Sequence, residues 1–361
     1  MVHSQEAQFG VGRLEIQTMR KSANQQKGAW RSFGKISTAM FCAFVSISNL
    51  QAEKTVPEVA IIQGAPGEEA YEKKFQRWSD NFFNSCVYAE RPVRRIHKPE
   101  KGVSPKDQIR NWLKLLEDTP KNPIWIFMIG HGTFDGKSAK FNLHGSDISA
   151  EDLKTWLKPH KDRTVLIINT ASSSAPFLTK LSASNHVILT ATRSGSEYNS
   201  TQLANFLSAN IINPDADLDQ DGQTSLLEAW LHSTRELADH YKQDGRIQTE
   251  HSILDDNADG KGTQPKAFIG ILPKETSEDS KPPDGFRAHQ FHLRPSDFEK
   301  SLTIKQKKSR DALELEIFKL RQKKSVLTED EYYQELEVLL RKLGKIYLAA
   351  DDSKKEAPKS N

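Results

Sequence analysis

The twelve residues Asp217-Leu-Asp219-Gln-Asp221-Gly222-Gln-Thr-Ser225-Leu-Leu-Glu228 set oxygen donors at the spacing that wraps one loop around a hard cation. Calcium takes six to eight oxygens in a flexible shell, and a loop of this length supplies them from alternating positions. Asp217, Asp219 and Asp221 stand at positions 1, 3 and 5, and Gly222 at position 6 permits the sharp turn. Gln223 offers its main-chain carbonyl, Ser225 acts through water, and Glu228 at position 12 binds with both oxygens. The competing reading is an acidic turn that caps the helix beginning at Leu226. Thr224 fills a position that is aliphatic when such loops pair, which implies a lone or unusually paired loop. A weaker candidate, Asp255-Asp-Asn257-Ala-Asp259-Gly260, repeats the rhythm but carries Lys266 where the twelfth-position acid belongs. It reads as a half-site, or as a loop packed beside the first.

Acid–base chemistry could come from His131, in Ile129-Gly-His131-Gly132, and from the hydroxyls of Asn169-Thr-Ala-Ser172-Ser-Ser-Ala-Pro-Phe177. Both segments follow apolar runs, Ile124 to Ile129 and Thr164 to Asn169, of the kind expected for strands covered on both faces. Glu58 to Gln63 and His186 to Thr190 read as further strands. Helical stretches fall between them. One follows Gly64-Ala-Pro-Gly67 and runs to about Asn84. A second starts at the Ser104-Pro105 cap, with Ile109, Trp112, Leu113 and Leu116 at helical spacing, and a third at Ser149-Ala-Glu-Asp152, an acidic capping box. Lys140 to His144 is expected to be a hairpin arm. Alternating strands and helices imply a mostly parallel sheet whose ligands bind at the carboxyl ends of the strands, where His131 and Ser172 both fall.

These residues resemble the caspase-like fold, most nearly the legumain-related bacterial branch of clan CD peptidases, and Asp217 to Glu228 resembles an EF-hand loop. The peptidase resemblance implies a three-layer α/β domain in which His131-Gly132 is the catalytic histidine pair. Aligning Ala171 and Phe177 with the family's alanine and aromatic residue places Ser172 where the nucleophilic cysteine stands, and Ser174 at the following serine. The separation of 41 residues between His131 and Ser172 accommodates one intervening helix. The thiol is missing, and a serine hydroxyl is a weak nucleophile without a well-placed base. Three readings stay open: a non-catalytic scaffold, a hydrolase using a Ser172–His131 dyad, and a serine-rich turn that only caps backbone amides. The family also places part of its substrate pocket after the third central strand, where Arg193 and Glu197 would read a charged group or would be solvated loop residues.

The chain has 51 basic and 48 acidic residues, a net charge of +3, so no global field argues for a nucleic-acid partner. Arg20, Lys21, Lys27, Arg31 and Lys35 precede the short apolar run Ile36 to Leu50, which closes on Gln51-Ala52. That order predicts an export signal over residues 1–52, with an N-terminal membrane anchor as the alternative and Met19 as a candidate start. Export to the periplasm or beyond would leave Cys86 as the one cysteine, with Cys42 removed, and no intrachain disulfide. The expected plan is an α/β domain over 55–275 containing the calcium loop, a connector over 276–295, a helical hairpin over 296–350 and a disordered tail over 351–361. Leu313, Ile317 and Leu320 stripe the first hairpin helix, and Leu336, Leu339, Leu340, Leu343 and Tyr347 the second, with a capping box at Thr328 to Glu331 between them. The hairpin would serve docking or self-association. His289 and His292 lack a nearby third ligand and read as surface residues. Together these features point to an exported calcium-binding protein on a peptidase scaffold that is non-catalytic and acts through interactions with protein or peptide partners, with an active Ser172–His131 hydrolase as the alternative and no stable membrane span.

Overall fold

The computed structural model describes residues 58–274, 283–324 and 326–356. The expected export signal and Cys42 lie outside the described residues. So do 55–57 and 275 of the expected domain, 276–282 of the expected connector and the last five residues of the expected tail.

The central sheet has six strands in the order β2-β1-β3-β7-β8-β9. They span β1 Val59–Gln63, β2 Val93–Ile96, β3 Ile124–Ile129, β7 Val165–Asn169, β8 His186–Thr190 and β9 Ile253–Asp255. Five run parallel, and β9 closes one edge antiparallel to β8. The apolar runs of β1, β3, β7 and β8 are buried along their whole length or nearly so, because helices cover both faces of the sheet. Helices α1 (Glu69–Tyr88), α5 (Leu203–Asn210) and α6 (Leu226–Gln243) pack with Ile61, Phe127, Ile168 and Leu189. On the opposite face, α2 (Pro105–Leu116), α3 (Ala150–Leu157) and α4 (Ala175–Leu181) pack with Ile62, Met128, Ile167 and Ile188. The one-residue alternation between these two sets is the strand period at work.

Local signals place several boundaries. The Ser104 hydroxyl accepts from the Asp107 amide at the start of α2, and Ser149 with Asp152 makes both bonds of the capping box on α3. Lys140 and Phe141 belong to β5 (Ala139–Phe141), the middle strand of a small antiparallel sheet with β4 (Gly132–Phe134) and β6 (Ile148–Ser149). Strand β2, Val-Arg-Arg-Ile, is an edge strand that apolar patterning does not announce. A two-residue hairpin follows, β10 (Phe268–Ile269) with β11 (Leu272–Pro273).

Residues 284–293, within the expected connector, pack on the domain. Asp284, Ala288 and Leu293 are buried, and Arg91 donates to the carbonyls of His292 and Leu293. Short helices α7 (Phe286–His289) and α8 (Asp297–Ser301) lead into the expected hairpin, α9 (Ile304–Gln322) and α10 (Glu329–Glu356). Phe286 meets Phe318 at 5.3 Å with the rings tilted by 44°, and Phe298 meets Tyr347 at 5.3 Å, so the hairpin is seated on the 284–300 segment. Among the described residues no helix is long and apolar enough to cross a membrane.

Trp230 ties α6 to the sheet edge. It is fully buried, meets Phe268 edge-on at 5.8 Å, and its indole donates to Ser252 Oγ at 2.7 Å, which in turn donates to the Thr190 carbonyl. Trp230→Ala is expected to cost about 3–5 kcal/mol of stability, and Trp230→Phe less, in urea unfolding. Equal midpoints for Trp230→Ala and wild type would remove this anchor from the account.

Candidate functional site

The parallel pairing of β3 with β7 puts the residues that follow each strand side by side at the carboxyl edge of the sheet. Gly132 and Ser172 are brought into direct contact. Ser172 Oγ donates to the Gly132 carbonyl at 3.2 Å and accepts from the Gly132 amide at 3.2 Å. A Cβ at position 132 would lie 2.3 Å from the Ser172 carbonyl oxygen, so only glycine fits this approach. Ser172 is 3% exposed. The turn after it puts Ser173 at φ +50° and sends its amide to the Glu197 carbonyl, while Ser174 Oγ pairs with Thr192 Oγ1.

The His131 ring sits against Tyr71 and Phe75 of α1, at 4.6 and 5.0 Å, both edge-on. Burial lowers its pKa, partly offset by a hydrogen bond to the Pro66 backbone and by the charge of Glu68. It is therefore neutral at pH 7, as a general base must be. The hydroxyl it would activate is committed to Gly132. Cys86 offers no substitute nucleophile, because it is buried within the core and burial pushes its thiol up to about 12.

Arg193 and Glu197 meet, but the bonds serve the loop. Glu197 accepts from the Arg193 amide, the Arg193 guanidinium, and both the amide and the ring of His251, the last at 2.6 Å. His251 was not legible as a partner, since it stands 54 residues away. Arg193 keeps about half of its side chain in solvent.

The acidic loop follows a single 3₁₀ turn, Pro214–Ala216, and leads into α6. Carboxylate oxygens of Asp217, Asp219 and Asp221 lie within 4.8 Å of one another. The chain folds around them. The Asp221 and Gly222 amides donate to Asp217, and the Gln223 amide donates to Asp221. Gln220 at φ +60° and Gly222 at φ +88° make the turn. Ser225 is the N-cap of α6 and Glu228 completes a capping box, so the capping role is present alongside the ligand spacing. Buried Glu228 also accepts from the Leu218 and Asp219 amides, at 2.9 and 3.2 Å. Burial raises the pKa of Asp221 and Glu228, and neighbouring Asp219 adds to both. A divalent cation would relieve that repulsion, and His289 joins Asp219 and Glu228 in a second group of donors within 4.8 Å of one another.

The loop is also clasped by the C-terminal segment. Ser296 donates its amide to Gln223 Oε1, the Leu226 amide donates to the Phe291 carbonyl, and Ser225 bridges His292. His289 Nε2 lies 3.0 Å from Asp219 Oδ2, and that contact raises the histidine's pKa against its burial. The expectation that His289 and His292 are surface residues is therefore corrected. Both are only partly accessible, and burial pushes His292 down to about 3.

The second acidic segment adopts the same turn. Gly260 donates to Asp255, Asp259 to Asn257, and Lys261 to Asp259, with Ala258 at φ +63° and Gly260 at φ +71°. It hangs from β9 at the opposite end of the sheet from His131, since Asp255 pairs with Ile188 while Ile253 pairs with Thr190.

No protein-family model matches this chain, and the search of curated proteins finds no match either. The residues and their geometry carry the functional reading.

Two outcomes follow. Gly132→Ala should lower stability by about 1–3 kcal/mol or more in urea unfolding, through the forced clash with Ser172. His131, whose pKa falls on folding, contributes fully above its unfolded value near 6.5 and loses that contribution as pH drops through the folded value. His131→Gln should therefore flatten the loss of stability between pH 7.5 and 5. An equally steep loss in the variant would show that the ring is not buried neutral.

Proposed function

We propose that this chain is an exported calcium-binding protein built on a caspase-like, legumain-related scaffold that works through protein or peptide partners rather than by peptide hydrolysis. The observation that carries the calcium reading is the convergence of Asp217, Asp219 and Asp221, with Glu228 closing the loop from α6. Gln223 contributes its carbonyl and Ser225 a bridging position. Glu228 must exchange its bonds to the Leu218 and Asp219 amides for the ion, and repulsion among four acids favours that exchange. Calcium at extracellular concentration suffices for a weak site of this type. Its part is structural: the loop holds the 291–296 segment, and that segment leads to the hairpin.

The scaffold reading rests on the His-Gly pair and the serine turn at the ends of two adjacent parallel strands. The non-catalytic reading rests on Ser172, whose hydroxyl is buried and bonded in both directions to Gly132.

Isothermal titration of the full chain with Ca²⁺ should give one site, and Asp221→Asn should weaken it about tenfold or more, a change of about 1.4 kcal/mol. At 100 times Kd the ion should add about 2.7 kcal/mol to stability. A serine-directed fluorophosphonate should leave the protein unlabelled. Absence of heat and of any thermal shift at millimolar Ca²⁺ would sink the calcium reading, and labelling lost in His131→Ala would sink the non-catalytic one.

A further inference from the structure

His97 follows β2 and His144 follows β5, and the fold brings their rings to 4.9 Å between centroids, tilted by 40°. Both ring nitrogens of His97 and Nε2 of His144 are buried without a hydrogen-bond partner. Buried polar atoms are nearly always paired, so three such nitrogens at one place mark a site that something else completes. The backbone beside each ring is fixed. Gln108 Nε2 donates to the Lys98 and Val103 carbonyls, and the Leu143 amide donates to Asp147.

We propose that His97 and His144 form a binding site for a divalent transition-metal ion of the zinc class, separate from the acidic loop. Imidazole nitrogen suits zinc, copper and nickel, whereas calcium selects oxygen. A Zn–N bond of about 2 Å, with roughly 1 Å more to the ring centre, allows two rings on one ion to stand up to about 6 Å apart. The observed 4.9 Å lies inside that limit, so the two rings stand close enough to share one ion. Glu72 is paired with Lys98 at 3.1 Å, so the two imidazoles are the protein ligands and water completes the coordination.

The test is titration of the full chain with Zn²⁺ in saturating Ca²⁺, on wild type, His97→Gln, His144→Gln, the double variant and His289→Ala. Near-ultraviolet circular dichroism checks that each is folded. One equivalent should bind to wild type and to His289→Ala, each single variant should lose about tenfold or more in affinity, and the double variant should not bind. Co²⁺ on wild type gives a readout that needs no variant: the strong visible bands of a four- or five-coordinate nitrogen-ligated ion are expected. Undiminished Zn²⁺ uptake in the double variant, a weak six-coordinate Co²⁺ spectrum, or no uptake by wild type would each overturn the proposal.

Discussion

The parallel register of β3 against β7 is the constraint on which the carboxyl edge of this molecule depends. It delivers Gly132 and Ser172 to the same point, and their backbones approach too closely for any side chain at 132. Once that contact is made, the Ser172 hydroxyl has a donor and an acceptor at hand and uses both. The same contact fixes where His131 can stand, and the aromatic wall of α1 accepts its ring edge-on. A hydroxyl satisfied in both directions must break two bonds before it can attack a carbonyl. A thiol in the same turn would hold such bonds weakly and ionise readily. With oxygen rather than sulfur at position 172, the side chain acts as a stitch between two strand ends.

The acidic loop obeys a related economy, in which carboxylates first serve the main chain. Asp217, Asp221 and Glu228 take up backbone amides that a tight turn would otherwise leave unpaired, and Glu228 caps α6 as well. Both oxygens of Glu228 already accept two bonds each, so free lone pairs remain chiefly on the three aspartates of the turn. The C-terminal segment adds to this frame through Phe291, His292 and Ser296. Thr224 stands where a second loop would pack in a paired arrangement, and its hydroxyl donates to the Asn213 carbonyl at 2.7 Å.

Much of this architecture was legible because it is local. The apolar runs of β3 and β8, the serine caps at Ser104 and Ser149 and the Thr328–Glu331 box all declare themselves within a few residues, and the structure reproduces them. The spacing of the acidic loop belongs to the same class. What escaped is settled by distance. Strand β2 carries two arginines because it lies at an edge, and β9 is only three residues long. His289 meets Asp219 across 70 residues, and His251 meets Glu197 across 54. His97 and His144 belong to different elements with no common pattern. Nothing in the periodicity of either segment encodes such a meeting, since only the assembled sheet makes them neighbours.

The two acidic turns show how far a missing residue in a motif can be supplied by the fold. Lys266 occupies the place where the second turn lacks its twelfth-position acid, yet the main-chain work of that acid is done. Asp284 Oδ1 accepts from the amides of Asp256 and Asn257, the second and third residues of the turn, just as Glu228 Oε1 accepts from Leu218 and Asp219. The shape is thus the same whether the carboxylate comes from the following helix or from a residue beyond the hairpin. The electrostatics differ. Burial raises the pKa of Asp284, the charge of Asp256 raises it further, and Asp256 is itself raised by burial. A group so placed tends to hold its proton and sheds negative charge from the turn. In the first turn His289 works the other way, keeping Asp219 ionised beside Asp217 and Asp221. The two turns share a geometry and differ in the distant group that reaches each, a histidine beside Asp219 in the first and a second buried carboxylate beside Asp256 in the second.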